Sequence, residues 1–449
     1  MKIHLIPRII GILPPRIFWL HGYRVKRIVK ESFWFWPLMV ILATVFVALP
    51  MVRWFDAHGY QIAFLWKGLT VEQAQVVVGS FSASMLTFLV FVLSSLLTVV
   101  TLASAQLTPR IMAFTFADRQ AKVLTCMLLF SFLFGTAILG QIGSDHVPLA
   151  GVKITILSVL ATIILFLRFI PHLGMSLRPI SLMRKVAEEG HAAIEDIYPR
   201  QYGTAASEKA ERVPGGLMRK NALTVAYEGP SGVLMAFSAQ GLAAVAEAAG
   251  CTLELEQQVG NFVSRGDPLF KTFPPDRPVD AKALHHLVAI GDERTLEQDP
   301  VFAFRVIVDI ASRALSPAVN DPTTAVLAID QLERLLRDLG NRQLDPGMLY
   351  DSRDNLRLIY PVPDWEDFVS LAVSEIRLYG ANSIQVPRRL LACLEHLIEV
   401  LPKSRAPALR RELLLLEKAV KREFVDSEDQ ERMSTGDRQG LGGTDADDR

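Results

Sequence analysis

At 449 residues, half of them hydrophobic and with a positive mean hydropathy, the chain has more apolar content than one soluble core needs, so part of it must face lipid. Its formal charge of zero conceals a split, because residues 1–175 hold 14 Lys and Arg against 5 Asp and Glu while the rest holds 33 against 42. A basic front and an acidic back argue against a nucleic-acid partner, whose positive patch would belong on the soluble part, and suit membrane segments flanked by Lys and Arg.

The first thirty or so residues hold a short apolar stretch, Ile9–Phe18, broken by Pro14 and Pro15, which suits a segment lying flat on the inner leaflet. Four longer runs follow, near Phe33–Val52, Ala74–Ala103, Val123–Ile142 and Val152–Ile170. Each is long enough for about 30 Å of hydrocarbon, which takes roughly 20 helical residues. The first is preceded by about thirty residues, and followed by no small-residue cleavage site, so it is expected to stay uncleaved. Trp34, Trp36 and Trp54 bracket it as interfacial aromatics do. The second run has thirty residues and would reach roughly 45 Å, so it tilts or projects beyond the bilayer.

Basic residues set the orientation. Seven precede the first run, Arg110, Arg119 and Lys122 separate the second from the third, and Arg178, Arg184 and Lys185 follow the fourth. The other two loops are poor in them, so both termini are expected in the cytoplasm of a bacterial inner-membrane protein. Lys153 and Arg168 lie near the ends of the fourth run, where they can snorkel. The spans lack a central carboxylate, which counts against proton-driven transport.

Beyond the fourth run, Leu182–Ile197 has the pattern of a charged linker helix, and Tyr202–Gly216 that of a loop. Ala222–Glu228 reads as a strand, Ser238–Ala249 as a helix and Cys251–Gln258 as a half-buried strand. From Ala281 the pattern turns helical. Asp299-Pro300 and Asp321-Pro322 each set an N-cap aspartate before a proline at the first helical position. Further helices are expected over Trp365–Tyr379, Pro387–Val400 and Ala406–Phe424, and the tail beyond Asp426 lacks periodicity and is expected to be disordered. The expected architecture is a membrane protein with a four-helix transmembrane region and a cytoplasmic α+β domain. Its parts are an interfacial segment (1–32), the transmembrane domain (33–170), a linker helix and loop (171–220), a small β-rich unit (221–280), a helical portion (281–424) and a disordered tail (425–449).

Two groups of residues are candidate sites. In the second run Ser80, Ser84, Thr87, Ser94, Thr98, Thr101 and Ala105 recur at alternating four- and three-residue steps, broken by Phe91, on one helix face. A hydroxyl stripe of this kind lines a hydrated path between several copies, or lets helices pack closely while its hydroxyls bond back to the backbone. The pairs Ser131/Gly135 and Thr136/Gly140 of the third run read as packing alone. In the soluble part, Asp292, Arg294 and Asp299 crowd one loop, with Asn320 and Asp321 in a second. Either an active-site loop or a capped turn has this composition, and the capped turn is the reading adopted. Adjacent His285 and His286 diverge by about 100° on a helix and cannot share a metal unaided. Arg305, Asp309 and Arg313 form a ladder at four-residue steps. The three cysteines are far apart and read as reduced thiols. No catalytic, cofactor-binding or metal-binding residue is assigned.

The segments FSASMLTFLVFVLSSLLTVVTLASAQLTPR (81–110) and RTLEQDPVFAFRVIVDIASRALSPAVNDPTTAVLAIDQL (294–332) resemble the bacterial predicted membrane-protein family catalogued as domain of unknown function 2254. The likeness runs from about Ser32 to about Leu416. It implies a multi-pass inner-membrane protein with a cytoplasmic C-terminal domain, and brings no activity or catalytic residues. VGNFVSRGDPLF (259–270) is similar to the turn and strand of biotinyl/lipoyl-type domains, without the lysine-bearing hairpin that is modified there.

Two functional expectations of different class follow. One is a homo-oligomeric, channel-like assembly whose stripe borders a path and whose cytoplasmic domain gates or senses. The other is a non-conducting scaffold or signalling protein that binds a cytoplasmic protein partner. A membrane-bound enzyme built on Asp292, Arg294 and Asp299 is a third and weaker reading.

Overall fold

A computed structural model describes residues 32–57, 70–106, 118–143, 147–176, 178–203, 222–277, 279–296 and 298–440. The chain divides into an N-terminal unit, Arg24–Arg178, and a C-terminal unit centred on Pro179–Arg449. The interfacial stretch Ile9–Phe18, Pro109, most of the Tyr202–Gly216 loop and the last nine residues fall outside the described ones.

The N-terminal unit holds four helices long and apolar enough to cross a bilayer. The first is built from α1 (Phe35–Ala43), a π-helical turn (Thr44–Ala48) and α2 (Leu49–Ala57). Pro50 has no N–H to offer the carbonyl four residues back, and the helix widens just before it. The other three are α3 (Val71–Gln106), α4 (Arg119–Leu139) and α5 (Leu149–Ser176). The 36 residues of α3 extend about 54 Å, longer still than the apolar run alone suggests.

Small residues set how closely these helices approach. A Cβ at Gly135 of α4 would lie 2.3 Å from Ser82 Oγ on α3 and 3.2 Å from Thr155 Cγ2 on α5. One at Gly151 of α5 would lie 2.5 Å from Ile138 on α4. Ser131/Gly135 therefore packs as its spacing implies, whereas Thr136 and Gly140 are exposed.

The C-terminal unit begins with α6 (Pro179–Ile197), which corrects the linker reading. Leu182, Met183, Val186, Ala187, Gly190, Ala193 and Ile194 recur every three or four residues and are buried against α9 (Pro300–Ala314) and α10 (Pro322–Gly340). Its charges cover the outer face, so the helix is part of the core. The helical layer is completed by α11 (Trp365–Gly380), α12 (Gln385–Val400) and α13 (Ala406–Glu423).

The β portion comprises β1 (Leu223–Ala226), β2 (Gly232–Phe237), β3 (Thr252–Leu255), β4 (Phe262–Val263), β5 (Pro268–Phe273), β6 (Val288–Gly291), β7 (Met348–Tyr350) and β8 (Leu356–Ile359). Helices α7 (Ala239–Ala249) and α8 (Ala281–His285) lie between them in sequence. One sheet runs β1-β5-β3-β8-β7, the other β4-β2-β6. Because β8 pairs in parallel with β3 at Leu253↔Leu358, residues about a hundred positions apart share a sheet. The division into a β unit followed by a helical portion is therefore only approximate. Leu358 and Tyr360 join Leu253, Leu255 and Phe270 in one apolar core.

The tail also departs from expectation. Asp426 caps α14 (Ser427–Met433), Met433 is buried, and residues 434–440 lie along α12. Arg388 Nε donates to the Thr435 carbonyl and the Asp437 amide to the Arg388 carbonyl, while Gly436 and Gly440 sit against Ala392 and Val326. A polar segment is ordered here because backbone groups and a few close glycine contacts hold it, which hydrophobic periodicity does not register.

Replacing Gly135 by Leu is expected to lower the melting temperature of detergent-solubilised protein by roughly 5–10 °C, since the larger side chain must displace α3 or α5. Thr136→Leu, one residue away on the exposed face, is expected to leave it within about 1–2 °C in the same scanning-fluorimetry run.

Candidate functional site

At 100° per residue, Val78, Ser82, Met85, Val92, Leu96 and Val100 of α3 share one side, and all are buried. Ser80, Ser84, Thr87, Ser94, Thr98 and Thr101 lie roughly opposite, and all six are exposed. The stripe is thus turned away from the bundle that α3 helps to build. Close packing inside one protomer does not account for it.

Its hydroxyls differ in how they are satisfied. Thr87 Oγ1 donates to the Ala83 carbonyl at 3.2 Å, Thr98 Oγ1 to Ser94 at 2.9 Å and Thr101 Oγ1 to Thr98 at 2.8 Å. Ser80, Ser84 and Ser94 make no side-chain hydrogen bond to any of the described residues. In hydrocarbon such a hydroxyl costs on the order of 1–3 kcal/mol, unless water or another chain takes it up.

A second set of hydroxyls, which the sequence reading passed over, faces inward. Thr155, Ser158 and Thr162 of α5 meet Ser131 of α4 and Ser82 of α3, and all five are buried. Ser131 and Thr162 share a 3.1 Å hydrogen bond, while Ser82, Thr155, Ser158 and Thr162 bond back to carbonyls of their own helices. The step from Thr155 to Ser158 to Thr162 is the same three-and-four spacing as the stripe. It escaped notice because Ile and Leu fill the intervening positions of a uniformly apolar run.

In the C-terminal unit two of the three aspartates in the candidate loops, Asp299 and Asp321, are helix caps. Asp299 Oδ1 accepts the Phe302 amide at 3.1 Å, and Oδ2 accepts Arg294 Nε at 2.8 Å and its Nη2 at 2.6 Å. Only 3% of Asp299 is exposed. Burial pushes its carboxyl above the ordinary range, against the lowering pull of Arg294. The guanidinium lies over the Phe302 ring and against the bare backbone of Gly260, where φ is +96° and a Cβ would be 2.3 Å from Cζ. The lipoyl-like turn and the candidate loop are thus packed on each other. Asp292 is exposed and takes no part in this pair.

Asp321 accepts the Thr324 amide at 3.1 Å and its hydroxyl at 2.6 Å. Asn320 adopts a left-handed φ of 48°, and its amide donates to the Ser316 carbonyl, which closes the turn between α9 and α10. These contacts hold the two helices at a fixed turn without presenting a reactive group. His285 Nε2 lies 3.2 Å from the Ala226 carbonyl, and among the described residues no group of three or more His, Cys, Asp or Glu could hold a metal. Arg305 bridges Asp309 on its own helix and both carboxylate oxygens of Glu375 on α11. That pairing holds the Glu375 carboxyl below its ordinary range.

A family model described as "Predicted membrane protein (DUF2254)" matches residues 30–396. The chain belongs to that family. An uncharacterized protein of Mycobacterium bovis is 29% identical over 367 residues, spanning 78% of this chain and 68% of its own. Two uncharacterized proteins of Mycobacterium tuberculosis match to the same identity and extent. No solved structure matches. The DUF2254 match takes in the stripe, the inner seam and both capped loops, and ends within α12, ahead of α13 and the ordered tail.

Asp299→Ala removes a cap and strands Arg294, and urea denaturation is expected to show a loss of about 3 kcal/mol. Asp292→Ala, at an exposed position of the same loop, is expected to change stability by less than about 0.5 kcal/mol.

Proposed function

We propose that this DUF2254 protein works as a homo-oligomeric, channel-like assembly in the bacterial inner membrane, with α3 of each copy bordering a shared polar path. The observation that carries the reading is the outward hydroxyl stripe, on the opposite side of α3 from its own bundle. A face required for the protomer's fold would be turned inward. Three of its serines make no bond to the described residues, which leaves their hydroxyls available to a neighbouring copy or a file of water. The basic residues between and beyond the spans support an arrangement with the C-terminal unit in the cytoplasm, where it gates or senses.

A second reading, a scaffold that binds a cytoplasmic protein, draws on a different observation. Val319, Leu378, Tyr379 and Ile384 of the C-terminal unit are large, apolar and exposed near the ends of α9 and α11 and the start of α12. Such a surface suits a protein partner and needs no path through the membrane.

Two measurements on purified protein decide between them. Native mass spectrometry from nanodiscs is expected to give a closed oligomer, and planar bilayers in potassium chloride are expected to conduct. Ser84→Leu and Ser94→Leu should then abolish or reduce conductance by about tenfold or more while leaving the melting temperature unchanged. A monomer, or conductance indifferent to both substitutions, would remove the stripe from the mechanism and leave the scaffold reading standing.

A further inference from the structure

Where α5 leaves the bundle, its helix is weakened and then clamped. Pro171 lies inside α5 and cannot donate a hydrogen bond to the Leu167 carbonyl, so the ladder is interrupted one turn before the helix ends. The next residue, His172, places Nε2 2.9 Å from Oδ2 of Asp118, the N-cap of α4. The other oxygen of that carboxylate, Oδ1, accepts the amides of Gln120 at 2.9 Å and Ala121 at 3.0 Å. One side chain therefore caps α4 and grips α5 at its break. Upstream of the break Phe169 is buried in the bundle, whereas downstream Gly174 and Met175 are exposed and Leu173 is only partly buried. The covalent path to the C-terminal unit passes through this last turn, since α6 begins at Pro179.

We infer that Pro171 and the Asp118–His172 bond form a latched hinge: closed, the last turn of α5 moves with the bundle, and open, it swings free and releases the tether to the C-terminal unit. The inference does not rest on the channel reading. A proline break alone would leave the turn loose, and a clamp on an unbroken helix would have nothing to restrain. The interruption and the grip on adjacent residues make a two-position element. The capping role of Asp118 fixes the carboxylate in place, so the grip needs no rearrangement to close.

Hydrogen–deuterium exchange of the full chain in nanodiscs tests it. His172→Ala leaves Asp118 free to cap α4 and should speed exchange of the amides from His172 to Ser176 by about tenfold, the size of one charged hydrogen bond. Amides of α4 and α9 should keep their rates, which also establishes that the variant is folded. Asp118→Ser keeps a capping oxygen for α4 but has none to spare for His172, and should give the same result should His172→Ala not fold. Restoring the missing ladder bond in Pro171→Ala/His172→Ala should return the segment to slow exchange. The inference is overturned if both single variants exchange at the parental rate, or if restoring the ladder bond leaves the segment fast.

Discussion

The interior of a bilayer has no water to take up a hydrogen bond, and that constraint orders everything in the N-terminal unit. Backbone groups are satisfied within helices. Side-chain hydroxyls are satisfied by a carbonyl one turn back, by another hydroxyl across a helix contact, or by something outside the protomer. The first two occur here. Thr155 and Ser158 bond to their own helix, and Ser131 and Thr162 meet each other. Ser80, Ser84 and Ser94 find nothing among the described residues. The inner seam serves cohesion, because small hydroxyl and glycine positions let α3, α4 and α5 approach without a hydrophobic drive between them.

A different constraint dominates the C-terminal unit, where water is present and backbone ends must be stopped deliberately. Asp299, Asp321, Asp364 and Asp426 each accept amides at the start of a helix. Two of these caps are also built into tertiary contacts. Asp299 is tied to Arg294 and through it to Gly260, and the turn before Asp321 returns its amide to the Ala314 carbonyl. The first loop is therefore a joint that fixes α9 against the β portion, and the second one that fixes α9 against α10. Their charged composition reflects that work.

The sequence shows some of this well. Spans are legible because twenty apolar residues in a row admit few other structures, and the capped helices because aspartate before proline has one strong structural use. The stripe is legible as a face, but not its direction, because the rest of α3 is mostly apolar and periodicity cannot tell lipid from protein. Helix α6 reads as a linker in the sequence because its outer half is charged, and only its inner half of Leu, Met, Val, Ala and Gly shows it to be core. Strands β7 and β8 are not legible because each is three or four residues long and, besides pairing with each other, they join the sheet only through β3, about a hundred residues away. Short strands are specified by what they pair with, which local pattern does not carry. The Asp118–His172 contact joins residues 54 positions apart on separate helices and has no local signature.

The chemistry of the stripe narrows what lies against it. Threonines at 87, 98 and 101 are self-satisfied and can face lipid at little cost, so their presence alone demands nothing. The serines are the hydroxyls left without such a bond, and they run from Ser80 to Ser94, about 21 Å along the helix axis. A single lipid headgroup at one interface cannot serve hydroxyls spread over most of the hydrocarbon depth. A carbonyl of their own helix can, by the rotation that seats Ser82 and Ser158 on carbonyls one turn back, and so can a continuous polar element such as a column of water or a second helix carrying hydroxyls. On this argument Ser84 and Ser94 matter more than the threonines beside them, although the two residue types look interchangeable in the sequence.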